Sequence, residues 1–173
     1  MNLFFEIIFI CLLAYHTYTD VKSFLLYDKV TLALAAVGIA RAVYYDMFVS
    51  AHDVRFLDTF CGEFTVVQGV TLAAALYGAG VLLAIMLAIY FASRGGMGEG
   101  DVKLAPALGL WLGVEQGLVC LLLAFVGGGL VGMVLLACGK RQMLLPFGPF
   151  LCAGAVVAYF WGEKIVRWYW GMW

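Results

Sequence analysis

Six apolar runs joined by short polar connections constrain this chain more than any other feature. Hydropathy places them at residues 3–19, 30–45, 64–92, 102–114, 117–138 and 147–161. Crossing a bilayer takes about 20 apolar residues per helix. In lipid every backbone polar group must also be satisfied within the protein, which favours helices. The 173 residues hold roughly six such spans with little left over. Composition agrees, since 65% of the chain is hydrophobic and only 12% is charged, against about 45–50% and about 25% in soluble domains. The expected fold class is therefore all-α. It is a polytopic integral membrane protein, a bundle of about six transmembrane helices, read as a single transmembrane domain over residues 1–173. The same composition excludes disorder. A net charge of −1 gives no basic patch for nucleic acid, so the expected surroundings are a lipid bilayer and no nucleic acid.

The runs differ in ways that carry expectations. The third is too long for one upright span, and Gly69, Gly78 and Gly80 are the places where it is expected to break or tilt. The fourth is short and contains Pro106. The fifth holds Gly127, Gly128, Gly129 and Gly132, of which Gly128 and Gly132 offer a smooth face to a neighbouring helix. The first run lacks the basic start and small-residue cleavage site of a signal peptide, so it is expected to stay as a helix. Five cysteines (Cys11, Cys61, Cys120, Cys138, Cys152) form no C-x-x-C. They are read as packing residues, with no disulfide framework, metal or cofactor expected.

Charge orients the bundle. With the N-terminus outside, the inner connections 20–29, 93–103 and 139–146 carry Lys22, Lys29, Arg94, Lys103, Lys140 and Arg141. The outer segments hold Arg41, Arg55, Lys164 and Arg167 among seven acids. This is a modest positive-inside bias, and it gives an N-out, C-out topology. All five tryptophans (Trp111, Trp161, Trp168, Trp170, Trp173) then fall toward the outer side, as an aromatic belt does. Arg41 is expected to snorkel to the outer interface.

That topology brings two acids to the inner face. Asp20 ends the first run and Asp101 begins the fourth. Carboxylates at membrane depth are costly and generally serve a polar cavity or a partner. Two like charges at close range do not both ionise, so one acid can activate water while the other polarises a carbonyl. Such a pair titrates as a unit. A plainer reading fits the spacing too: Asp101 as a helix N-cap and Asp20 as an interfacial acid balanced by Lys22. The stretch Gly95-Gly96-Met97-Gly98-Glu99-Gly100-Asp101 favours the first reading, because a Cβ-poor backbone admits an extended peptide beside the acid. It lacks the Gly-Lys-Ser/Thr ending of a phosphate loop, and Glu99 and Asp101 repel phosphate.

The run Gly96-Met97-Gly98-Glu99-Gly100-Asp101-Val102-Lys103-Leu104, continuing through Ala107-Leu108-Gly109 and Trp111-Leu112-Gly113, resembles the GxGD signature of type IV prepilin peptidases. Later, Leu145-Pro146-Phe147-Gly148-Pro149-Phe150-Leu151 resembles that family's Pro-Phe-Gly-Pro motif. Asp20 stands where the family keeps its first catalytic aspartate. The Ile-Pro-Asn-like turn that usually follows is replaced by Leu26-Tyr27-Asp28, which makes Asp28 a rival first acid.

The resemblance implies an aspartyl endopeptidase. It would cut the basic leader from a prepilin or pseudopilin precursor at the cytoplasmic face of the bacterial inner membrane, with Asp20 and Asp101 sharing a water. Larger members insert a cysteine-bearing domain between the first two helices and N-methylate the new terminus. Here that connection is about ten residues without cysteine, so peptidase activity without methyltransferase activity is expected. Gly98 and Gly100 shape the loop. Glu99 is a solvated acid or an attractor of the leader, and Lys103 stabilises a carboxylate, pairs with Glu99 or snorkels. Pro146, Phe147, Gly148 and Pro149 are expected to set the entry to the last helix and are candidates to line the substrate groove, with Phe147 and Phe150 read as core. His16, one turn before Asp20, is read as a polar packing contact and His52 as a loop residue. A presenilin-like protease is the nearest enzymatic rival, but its Pro-Ala-Leu motif sits on a separate late helix, unlike Pro106-Ala107-Leu108 here. The non-enzymatic rival is a small transporter or assembly subunit in which the same acids bind protons or cations.

Overall fold

A computed structural model describes residues 3–23, 27–48, 70–93, 96–138 and 146–171. Helix accounts for 92% of these and no strand occurs among them, as the apolar runs demand. The helices are α1 (Leu3–Ser23), α2 (Asp28–Phe48), α3 (Leu72–Ala92), α4 (Glu99–Ala137) and α5 (Gly148–Trp170). All five are long and apolar enough to cross a membrane. Large apolar side chains such as Phe4, Leu32, Tyr77, Leu122 and Met133 lie exposed around the bundle. A water-soluble monomer does not tolerate such a surface, whereas lipid does.

These five described helices come close to the six expected, because the fourth and fifth runs are the two limbs of α4, on either side of a break. Their junction is Gly113, at φ 69° and ψ −166°, a conformation open essentially only to glycine. The chain reverses there. Asp101, in the first limb of α4, lies within electrostatic reach of Asp20. In the second limb, Gly128 lies under the ring of Phe147, next to Gly148, which bonds Asp20. Asp101 and the segment around Gly128 thus both lie toward the end of the bundle that holds Asp20, with Gly113 away from it.

α3 packs along both limbs and does not break at Gly78 or Gly80, contrary to expectation; Gly69 lies outside the described residues. Gly78 serves contact instead. A Cβ there would fall 2.7 Å from the Gly113 backbone, and one on Gly109 would fall 2.7 Å from the Gly78 backbone. Lipid supplies no hydrophobic drive between helices, so such backbone approach is a main source of association. Of the glycines expected to form a smooth face, Gly128 receives Phe147, whereas Gly132 meets nothing.

Two outer-side expectations are corrected. Trp111 is fully buried. It stacks on Phe9 at 4.5 Å, and its indole N–H donates to the Leu34 carbonyl of α2 at 2.9 Å. Arg41 does not snorkel outward. It is 5% exposed, donates to the Trp111 carbonyl at 3.0 Å, and lies over the rings of Tyr45, Trp111 and Tyr159. The Trp111 carbonyl sits just before the break at Gly113 and so lacks a regular helical partner, which the guanidinium supplies. Trp161, Trp168 and Trp170 on α5 are exposed, as a belt requires; Trp173 lies outside the described residues.

Gly78→Ala is expected to destabilise the protein by about 1–3 kcal/mol, the usual cost of overpacking. Gly80→Ala, two residues away and facing open space, is expected to change stability by no more than about 0.5 kcal/mol. Thermal unfolding of both variants in detergent checks the pair.

Candidate active site

The last turn of α1 delivers Asp20. The hydroxyls near it are occupied by their own helix, Thr17 Oγ1 donating to the Leu13 carbonyl at 2.9 Å and Thr19 Oγ1 to that of His16 at 3.0 Å. The Asp20 side chain, 5% exposed, looks across to α5. There its Oδ2 accepts the Gly148 backbone N–H at 3.0 Å.

The second motif explains that bond. The first N–H groups of a helix have no acceptor within it, and proline in the first turn sacrifices nothing. Pro149 therefore tolerates the start of α5 and Gly148 turns its free N–H to the carboxylate. A side chain at 148 would push the Asp20 carboxylate aside, because a Cβ would lie 2.5 Å from its Oδ2. Phe147 packs its ring on Phe125 at 5.1 Å, which fixes the entry to α5. The expectation that Phe147 and Phe150 are core holds, since both are half-buried against it. Pro146 is half-buried beside them.

Asp101 sits in the first turn of α4. Its N–H donates to the Gly98 carbonyl at 3.2 Å, and Gly98 caps the helix without a side chain. The carboxyl group is 6% exposed, and its Oδ1 has no hydrogen-bond partner among the described residues. Asp101 therefore does not act as a side-chain N-cap. Gly98 and Glu99 are exposed and Gly100 half-buried, which leaves an open approach to the acid.

The other sequence candidates disperse. Asp28 is exposed and bonded to Lys103, with Nζ 3.0 Å from both carboxylate oxygens. Lys103 thus pairs with Asp28 rather than Glu99, and Asp28 is committed away from Asp101. Glu99 accepts the Tyr90 hydroxyl at 3.4 Å in an exposed setting. His16 is buried and faces the Val30 backbone of α2, not Asp20, and neither ring nitrogen has a hydrogen-bond partner among the described residues. His52 and Cys61 lie outside the described residues. A groove of about 380 Å³ between α2 and α4 runs past Asp28, Leu32, Lys103 and Pro106, but neither aspartate lines it.

Two wall residues escaped the sequence reading. Cys152 is buried, faces the Thr17 hydroxyl and lies within electrostatic reach of both aspartates. Its position one turn after Gly148 puts it on the same helix face, which was the available signal. Thr17, three residues before Asp20, shares that logic. Among the described residues no three His, Cys, Asp or Glu side chains converge as a metal ion would need.

Two buried carboxyl groups from distant helices thus lie within electrostatic reach of each other in a bundle of apolar helices. Comparison with known proteins gives the family. The type IV leader peptidase family matches residues 7–133, a span that includes both aspartates. A protein of Legionella pneumophila named prepilin leader peptidase/N-methyltransferase is 34% identical over all of this chain and 55% of its own length. One of the same name from Aeromonas hydrophila is 32% identical over 88% of this chain and 48% of its own. Another, from Bacillus subtilis, is 32% identical over 56% of this chain. The chain spans about half the length of the curated relatives it matches, and no solved structure gives a match. This chain belongs to the type IV leader peptidase family and is a multi-pass, all-helical membrane protein.

The Asp28–Lys103 pair is exposed, and exposed pairs contribute about 0–1 kcal/mol. Asp28→Asn and Lys103→Met are therefore each expected to move the unfolding midpoint in detergent by no more than that energy. A larger loss would show that the pair braces the site.

Proposed function

We propose that this chain is a membrane-embedded aspartyl endopeptidase that removes the leader from a type IV prepilin-like or pseudopilin precursor. The observation that carries the reading is the pairing itself. Asp20 and Asp101 are the two acids buried together, while Asp28, the rival, is exposed and ion-paired. In this reading one carboxylate takes a proton from water, and the other acid donates to the carbonyl oxygen of the scissile bond. The glycine-rich approach through Gly98 and Gly100 admits the extended substrate, Glu99 stands at its edge, and Pro146 to Pro149 hold the first acid from behind.

The finer placement belongs to the same proposal. The active end faces the cytoplasm of a bacterial inner membrane, as the excess of lysine and arginine at that end of the sequence supports. The activity proposed is cleavage without N-methylation of the new terminus, because only residues 24–27 join α1 to α2 and no domain is inserted there. The transporter alternative gains nothing from the relatives, all of which carry peptidase names.

The test is co-expression with a prepilin-like precursor in a host without its own leader peptidase, read as a mobility shift. Asp20→Asn and Asp101→Asn are each expected to lower processing by about 10²-fold or more, and Asp28→Asn to leave it at the wild-type level. Wild-type processing by both dyad variants would end the peptidase reading.

A further inference from the structure

The two acids are not equivalent, and their surroundings differ in kind. Asp20 receives a backbone N–H through Oδ2, at the positive end of a 23-residue helix. An N–H donates and never accepts, so it favours the ionised carboxylate over the acid. Asp101 is equally buried, yet its Oδ1 has no hydrogen-bond partner among the described residues. A charge placed there would be desolvated, with one of its oxygens lacking a donor, the costlier situation. The remaining polar wall, Thr17 and Cys152, is neutral and common to both.

We propose that the Gly148 N–H breaks the symmetry of the pair, making Asp20 the general base and Asp101 the general acid, with Gly148 as the positioning residue. This rests on the peptidase reading above. Asp20 takes a proton from water, whose oxygen bonds to the scissile carbonyl carbon. The carbonyl π pair moves to its oxygen, which takes the proton held by Asp101, giving a gem-diol. In the second step the proton on Asp20 passes to the amide nitrogen and the C–N bond breaks. One gem-diol hydroxyl returns its proton to Asp101 as the C=O re-forms. The products are a carboxylic acid and an amine, and both aspartates end as they began.

Steady-state kinetics of the purified protein on a prepilin-like precursor test the assignment. An amide at position 101 keeps an N–H for the carbonyl oxygen, whereas an amide at position 20 takes no proton from water. Asp101→Asn is expected to lose about 10²-fold in kcat with turnover still measurable, and Asp20→Asn to lose at least about tenfold more. Asp101→Asn as slow as Asp20→Asn, or slower, overturns the assignment but not the peptidase reading. Wild-type rates in both overturn the peptidase reading itself.

Gly148→Ala places a Cβ against the Asp20 carboxylate and is expected to lower kcat at least about tenfold, with KM within about twofold. Gly154→Ala is the control for crowding. Its Cβ would lie 2.6 Å from the Cys120 carbonyl, on the same helix but turned to α4. It is expected to lower the melting temperature and leave kcat of the folded protein at the wild-type value. Equal loss of kcat in the two glycine variants would reduce Gly148 to a packing residue.

Discussion

The backbone contact between α3 and α4 at Gly78, Gly109 and Gly113 is the constraint on which the rest depends. Helices in lipid gain nothing from hiding apolar surface from a solvent that is itself apolar, so closeness has to come from shape. Three glycines let two backbones meet at van der Waals distance where any side chain would hold them apart. The same contact coincides with the reversal of α4, so a close backbone approach falls where the chain is least able to accept another residue. From that point one limb returns with Asp101 and the other with the surface on which α5 rests.

The polar interior follows from this frame. Breaking a helix frees carbonyls, and a freed carbonyl in a membrane interior needs a donor. Arg41 supplies it at Trp111, with three aromatic rings covering the cation. At the opposite end the free N–H of α5 meets the Asp20 carboxylate. Each helix irregularity is thus matched to a polar side chain from another helix, one at each end of the bundle.

Much of the site was legible in the sequence because acids are scarce in so apolar a chain. Asp20 and Asp101 stand at the ends of apolar runs, and Gly98, Gly148 and Pro149 follow recognisable patterns with local reasons. What was not legible depends on helix rotation and on tertiary partners. Hydropathy places Trp111 and Arg41 at the right depth but does not say which way a side chain turns about its helix, so both looked like interface residues and prove to be core. Gly78 looked like a breaker because glycine weakens helices in water; here its missing side chain admits a neighbour. The sharp reversal between the fourth and fifth runs rests on one positive φ among the described glycines, and no local pattern marks which glycine carries it. Cys152 was passed over because a lone cysteine in an apolar run is ordinarily inert.

The reversal at Gly113 also bears on mechanical tolerance. One limb of α4 carries Asp101, and the other packs against Phe147, which precedes the Gly148 donor to Asp20. In shape the element is a caliper, with its pivot at Gly113 and Asp101 at the tip of one limb. The limb from Gly113 to Asp101 is about 18 Å long, so a rotation of about 10° at the pivot moves the tip by about 3 Å. That displacement is the length of a hydrogen bond. The position of Asp101 is therefore sensitive to a backbone angle about 18 Å away, which touches neither acid.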